Sequence, residues 1–126
     1  MQTNFRGRDF IGDLDPDNVE SIRVPVSTAD AFVREHQIAK VDLVKLDTET
    51  TEIDVLRGME HILSRDQPDI FCEVLGWRAV ADELNSLFEG LGYRAYKLTG
   101  EGPSFSKEIS ADDEHPNYLF TVRDAV

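Results

Sequence analysis

Basic residues are scarce in this chain: 13 lysines and arginines stand against 25 aspartates and glutamates, for a formal net charge of −12. A surface of that sign repels phosphate backbones and anionic bilayers, so no nucleic acid and no membrane is expected among its partners. Lysine is confined to Lys40, Lys45, Lys97 and Lys107, and aspartate outnumbers glutamate. Such a surface stays hydrated in concentrated salt, where screening removes its self-repulsion. It fits a salt-loving source or an ordinary acidic cytoplasmic protein. Cysteine is limited to Cys72, which rules out an internal disulfide and a cysteine metal cluster. No apolar run approaches the roughly 20 residues of a membrane span. The start Met1-Gln2-Thr3-Asn4-Phe5-Arg6 has no apolar stretch behind its charge, unlike a secretory signal. A cytoplasmic location is the expectation.

The remaining pattern alternates strands with amphipathic helices. Residues 1–20, rich in Asp, Gly and Arg, read as an irregular arm, and residues 21–126 as the folded part. A strand is expected at Ile22–Val26, near an edge because Pro25 has no donor. A helix from about Ala29 to His36 follows, capped by Ser27 or Thr28. Val41–Asp47 is the next strand. One helix should then carry Ile53, Val55, Leu56, Met59, Ile62 and Leu63 on a broad stripe, with Gly58 marking a close approach to a strand. A strand at Asp69–Leu75, a helix over about Val80–Glu89, a strand at Tyr93–Leu98, a loop over 99–116 and a strand at Asn117–Arg123 complete the chain. This order predicts an α/β fold with a mostly parallel sheet of about five strands and an antiparallel C-terminal strand.

Chemistry concentrates at Lys45-x-Asp47-x-Glu49-x-x-Glu52, at the carboxyl end of the second strand, the edge where open α/β sheets bind ligands. Alternation sets Lys45 and Asp47 on one face with Glu49 in the turn beside them. These groups suit cation binding, orientation of a hydroxyl, or general-base work. The plainer reading has Glu49 and Glu52 complementing the helix dipole and Asp47 taking turn amides. Glu73 ends the third strand on the same edge; it either approaches Asp47 to form a carboxylate cluster for a divalent ion or is buried as an ion pair with Lys45. Trp77 follows as a rim or core aromatic. His36, His61 and His115 lack metal spacing, and Cys72 reads as an inert core residue. Gly100-x-Gly102 lies between strands and is no dinucleotide fingerprint.

The run from Val41 to Gly58 resembles the motif of the FkbM family of S-adenosylmethionine-dependent methyltransferases, a pattern close to vDlIKiDvEGxExxvLkG. Thr28-Ala29-Asp30 stands where that family has Thr-Leu-Asp, Phe71-Cys72-Glu73-Val74 resembles its following strand, and Leu91-Gly92-Tyr93-Arg94 its "lGYr" element. The resemblance implies a partial, Rossmann-like methyltransferase fold, the C-terminal half of the strand order 3-2-1-4-5-7-6. It also implies O-methyl transfer from S-adenosylmethionine to a hydroxyl of a small molecule, sugar or lipid. Asp47, Glu49 and Lys45 would be the catalytic residues and Asp30 the cofactor-binding one, with no metal. Two departures stand out. Thr50 replaces the motif glycine, and the glycine-rich Asp-x-Gly-Ala-Asn-x-Gly type cofactor loop has no counterpart. The chain therefore reads as a truncated relative, inactive by itself, or as a non-catalytic assembly module of the same descent. With strands 1 and 2 missing, the free edge of strand 41–47 is expected to pair in a homodimer or to be closed by strand 22–26 of the same chain.

Overall fold

The computed structural model describes residues 22–48, 51–74, 78–110 and 114–124. The expected arm over residues 1–20 lies outside them, as do Glu49 and Trp77. The elements are α1 (Ala29–Glu35), β1 (Leu43–Leu46), α2 (Glu52–Arg57), α3 (Glu60–Arg65), β2 (Asp69–Glu73), α4 (Arg78–Leu91), β3 (Arg94–Thr99), β4 (Gly102–Ser106) and β5 (Asn117–Thr121). Among the described residues no helix is long and apolar enough to cross a membrane.

The five strands form one sheet in the order β1-β2-β5-β3-β4. β1 and β2 are parallel, whereas β2–β5, β5–β3 and β3–β4 are antiparallel. The sheet is thus mostly antiparallel, not mostly parallel. The cause is topological: β1, β2 and β3 share a direction, but β5 returns between β2 and β3 and makes both of those contacts antiparallel. The β1-β2-β5-β3 run is consistent with the 4-5-7-6 part of a methyltransferase-like α/β sheet.

Three expectations need correction. Ile22–Val26 is no strand of this sheet; it is exposed, so closure by this segment does not occur and β1 is an edge of the sheet among the described residues. The loop expected over 99–116 contains β4, folded back on β3 through Gly102 at φ 114, a backbone value that favours glycine. Thr99 Oγ1 donates to the Gly102 carbonyl at 2.9 Å and accepts from Glu101 N–H at 3.3 Å, which holds the turn. The single helix expected through Leu63 is broken into α2 and α3 at Gly58 and Met59.

That break is made by the entry to α1. Thr28 caps α1 by accepting Ala31 N–H at 3.1 Å, and Asp30 N–H donates to the Gly58 carbonyl at 3.1 Å. The close approach at Gly58 is therefore to Thr28, not to a strand: an added Cβ would lie 3.3 Å from both Thr28 Cβ and Cγ2. Gly58→Ala is expected to destabilise by about 1 kcal/mol, because overlap with Thr28 outweighs the better helix propensity of alanine. Thr28→Ser keeps the capping hydroxyl, removes Cγ2 and should restore part of the loss, since the contacts with Cβ of residue 28 and the Val55 carbonyl at 3.3 Å remain. Urea unfolding of the single and double variants measures both effects; an unchanged midpoint for Gly58→Ala would refute the contact.

The core fills the helix-bearing face of the sheet. Leu46, Ile70, Cys72, Tyr118 and Phe120 project there against Leu56, Ile62, Leu63, Leu84 and Phe88, all buried. α4 has a Schellman ending: Tyr93 N–H donates to the Phe88 carbonyl, Gly92 takes φ 75, and the Phe88 and Tyr93 rings meet at 5.2 Å. Below β1, the Asp66 side chain accepts Val41 N–H at 3.0 Å and two guanidinium N–H groups of Arg65 at 2.6 Å. Hydrogen bonding from Arg65 is the main reason its carboxyl sits at about 2 instead of 3.8; burial opposes the shift, while Val41 N–H and the Arg65 and Lys40 charges support it. A lowered folded-state value means stability that is complete above about 3.8 and disappears as pH falls toward about 2. Asp66→Asn should flatten the pH dependence of unfolding in that window. An acid limb identical in the two proteins would contradict the assignment.

Candidate functional site

β1 and β2 place acidic groups side by side at one end of the sheet. The parallel register sets Leu46 beside Cys72, and one step further brings Asp47 to Glu73. Lys45 Nζ donates to Asp47 Oδ2 at 2.7 Å, with both side chains at least half exposed. The Asp47 carboxyl is held below the usual carboxylate range, first by the hydrogen bond from Lys45 and then by its charge; desolvation opposes this, and a hydrogen bond with Glu73 adds a smaller push downward. Solvent screens this pair, so its value is in fixing a charge rather than in stability. The structure thus joins Lys45, Asp47 and Glu73, while Glu49 falls outside the described residues.

The turn after β1 is organised from within by Glu52. This carboxylate, 3 % exposed, accepts both Thr48 N–H and Thr48 Oγ1–H at 3.0 Å, and Thr51 Oγ1 donates to the Thr48 carbonyl at 3.2 Å. Sequence reasoning offered Glu52 as one acid of the motif or as a complement to the helix dipole, and missed this role. Its helical phase was the available signal, since Glu52 lies one turn before Leu56, on the buried side of α2. The fold thereby fixes the backbone on which Asp47 is displayed. Cys72, beside this turn, is buried, and its thiol is pushed up to about 12 by desolvation, then by the Glu52 and Glu73 charges. A thiol of that kind is not a nucleophile at neutral pH.

Asp30 lies elsewhere and is engaged. Its two carboxylate oxygens accept His61 N–H at 2.9 Å and Ile62 N–H at 3.0 Å, satisfying the start of α3 after the helix break. His36 is bonded through Nδ1 to the Phe32 carbonyl and stacks on that ring at 4.1 Å. His61 is exposed and His115 partly so. Among the described residues no three His, Cys, Asp or Glu side chains gather to hold a metal. Grooves are also found elsewhere among the described residues. One of about 500 Å³ runs between α1 and α3 past Arg34, His61 and Arg65. Chemistry decides over volume here: the ionised carboxylate and its lysine stand at the β1–β2 edge.

Comparison with protein families finds a model described as the methyltransferase FkbM domain, matching residues 3–95, well over half of the chain. The match begins inside the stretch expected to be an arm and ends within β3, leaving β4 and β5 beyond it. No curated protein and no solved structure matches.

Proposed function

The chain belongs to the FkbM methyltransferase family, and from that premise we propose that it forms the acceptor side of a methyl transfer to a hydroxyl of a small molecule, sugar or lipid. The observation that carries this reading is the Lys45–Asp47 pair beside Glu73 at the carboxyl ends of two parallel strands. An acceptor hydroxyl placed there would donate its hydrogen bond to Asp47. A carboxylate kept below its usual range is a weak base near neutral pH, so Asp47 orients the hydroxyl and Glu49, two residues on, takes the proton. Lys45 keeps Asp47 charged.

The family uses S-adenosylmethionine, and the residues present do not fit it. The segment Asp47-Thr48-Glu49-Thr50-Thr51 after β1 contains no glycine, and the sequence holds no Asp-x-Gly-x-x-x-Gly run through which a backbone could approach the cofactor. Asp30 already serves the amides of α3. We therefore read residues 21–126 as the C-terminal half of the domain, needing a cofactor-binding portion to act. A second reading is a non-catalytic assembly module of the same descent, with which the glycine-free segment after β1 is equally consistent.

Two measurements test these readings. Calorimetric titration of the chain with S-adenosylmethionine should give no one-to-one binding in the low-micromolar range; such binding would overturn the assignment of a missing cradle. Labelled-methyl transfer by the complete gene product to a panel of hydroxylated sugars and lipids should yield a methyl ether. Tight cofactor binding without transfer to any hydroxyl would favour the second reading.

A further inference from the structure

β5 brings a further side chain to the candidate site. Its register sets Asn117 opposite Glu73 and Leu119 opposite Phe71. One step on, Val74 N–H donates to the Pro116 carbonyl at 2.7 Å. Antiparallel partners alternate between hydrogen-bonded and non-hydrogen-bonded pairs, so Glu73–Asn117 and Phe71–Leu119 are non-hydrogen-bonded. In such pairs the Cα atoms approach to about 4.5 Å and the side chains lie close together. Strand alternation turns these four residues away from Cys72 and Tyr118, which project into the core, and toward the face that carries Lys45 and Asp47. The hydrogen bond between the Asp47 and Glu73 carboxyls agrees with this placement.

Asp47, Glu73 and Asn117 therefore stand in one row across three neighbouring strands. Adjacent strands lie about 4.5–4.8 Å apart, which makes the row about 9 Å long. Its members differ in what they bind. An ionised carboxylate only accepts hydrogen bonds, whereas the amide of Asn117 both donates and accepts. Asn117 is exposed. One step back on the same face, Phe71, 38 % exposed, lies beside the half-buried Leu119. Asn117 and Leu119 fall outside residues 3–95, so the family match says nothing of them.

We propose that the methyl acceptor is an uncharged sugar ring and that Asn117 is one of the residues that bind it. The proposal rests on the methyl-transfer reading above. The hydroxyl to be methylated donates to Asp47, a second hydroxyl farther round the ring bonds to the Asn117 amide, and Glu73 stands between them. The C–H face of the ring lies toward Phe71. A row of three hydrogen-bonding side chains beside an apolar one matches a rigid frame that carries several hydroxyls. A lipid alcohol brings a single hydroxyl, and its chain would strip water from Glu73 and Asn117 without replacing it, which costs free energy for each polar group left unmet. A site built around hydroxyl-binding side chains rejects acceptors that lack those hydroxyls. The two carboxyl groups and the net charge of −12 disfavour an anionic sugar. A divalent cation is disfavoured as well: the Lys45 ammonium already sits on Asp47 at 2.7 Å, and among the described residues no three metal-holding side chains gather.

The test uses the complete gene product and begins without cofactor. Methyl glycosides of neutral hexoses, titrated in and followed by amide NMR, should shift the signals of Glu73 and Asn117 together, while hexanol should not. Asn117 is exposed, so Asn117→Ala leaves the core intact and removes one hydrogen bond to the ring. Glycoside affinity should then fall about three- to tenfold. In methyl transfer the same variant should raise KM for the glycoside by that factor, with kcat and the KM for S-adenosylmethionine unchanged. Glycosides that cause no shift would overturn the proposal, as would an Asn117→Ala variant that binds them as tightly as the unaltered protein. Preferential methylation of a lipid alcohol would overturn it too, while leaving the methyl-transfer reading intact. Glycoside binding that depends on Asn117, without methylation of any hydroxyl, would support the sugar site and overturn the methyl-transfer reading instead.

Discussion

Turnover of a methyl-transferring enzyme containing this chain is expected to fall when Asp47 becomes asparagine, by less than the about 10²–10⁴-fold that loss of a general base costs, with the cofactor's affinity unchanged. The amide keeps the side chain's size and one acceptor oxygen but loses the charge that Lys45 holds in place at 2.7 Å. Glu49→Gln should cost that full factor by removing the proton's destination. Lys45→Met is expected to do less. Without the lysine, the Asp47 carboxyl returns toward its ordinary 3.8, which still leaves it ionised near neutral pH. The acid limb of activity should accordingly move to higher pH in Lys45→Met while the neutral plateau is retained. Steady-state kinetics across pH distinguish these variants, and normal turnover in both Asp47→Asn and Glu49→Gln would reduce the carboxylates to structural groups.

The largest stability effect should come from Tyr118. Its side chain is fully buried at the centre of the core, stacked near Phe120 with Lys97 Nζ 5.7 Å from its ring centroid. Its hydroxyl accepts Ser110 N–H at 3.2 Å and donates to the Ser110 carbonyl at 3.0 Å. Tyr118→Ala removes a whole ring from a packed interior and should destabilise by about 3–5 kcal/mol, a large share of the roughly 5–15 kcal/mol that stabilises a domain. Tyr118→Phe keeps the packing but loses the bonds to Ser110, which is exposed and can turn to water, at about 0.5–1.5 kcal/mol. Hydrogen exchange in the phenylalanine variant should loosen the segment around Ser110. Asn85 holds that segment as well, accepting Ile109 N–H at 2.9 Å and donating to its carbonyl at 3.3 Å, so the loosening should stop short of Ile109. Equal denaturation midpoints for Tyr118→Phe and the unaltered chain would contradict the role of the hydroxyl.

Local pattern revealed much of the sheet and little of what organises it. β1, β2, β3 and β5 carry enough apolar and β-branched residues to be found from sequence, and α4 shows its stripe of Leu84, Leu87, Phe88 and Leu91. Ile22-Arg23-Val24-Pro25-Val26 shows the same local preference and is no strand, because a strand also needs a neighbour. β4, Gly102-Pro103-Ser104-Phe105-Ser106, has almost no β preference and is made a strand by the turn that folds it onto β3. The break at Gly58 was invisible because the apolar period runs on through Met59, Ile62 and Leu63; the contacts that interrupt it come from Thr28 and Asp30, some thirty residues earlier. At the candidate site, alternation put Lys45 and Asp47 on one face and end-of-strand position put Glu73 beside them. Glu52 hid among the acids, marked only by its helical phase one turn before Leu56.

The position of β5 bears on how the chain is made. The last of the five strands in sequence is the third of five in space, wedged between β2 and β3. While the chain is being synthesised, β1 and β2 can pair and α4 can dock, yet the inner edges of β2 and β3 have nothing to hold until Asn117–Thr121 emerges. Thr121 then reaches back to Asp69, 52 positions earlier, donating at 2.6 Å. Closure of such long-range contacts is slow compared with helix formation, so the nascent chain spends its last stage with two raw strand edges exposed. Stalled synthesis short of residue 117 should therefore yield a sticky intermediate rather than a smaller folded unit.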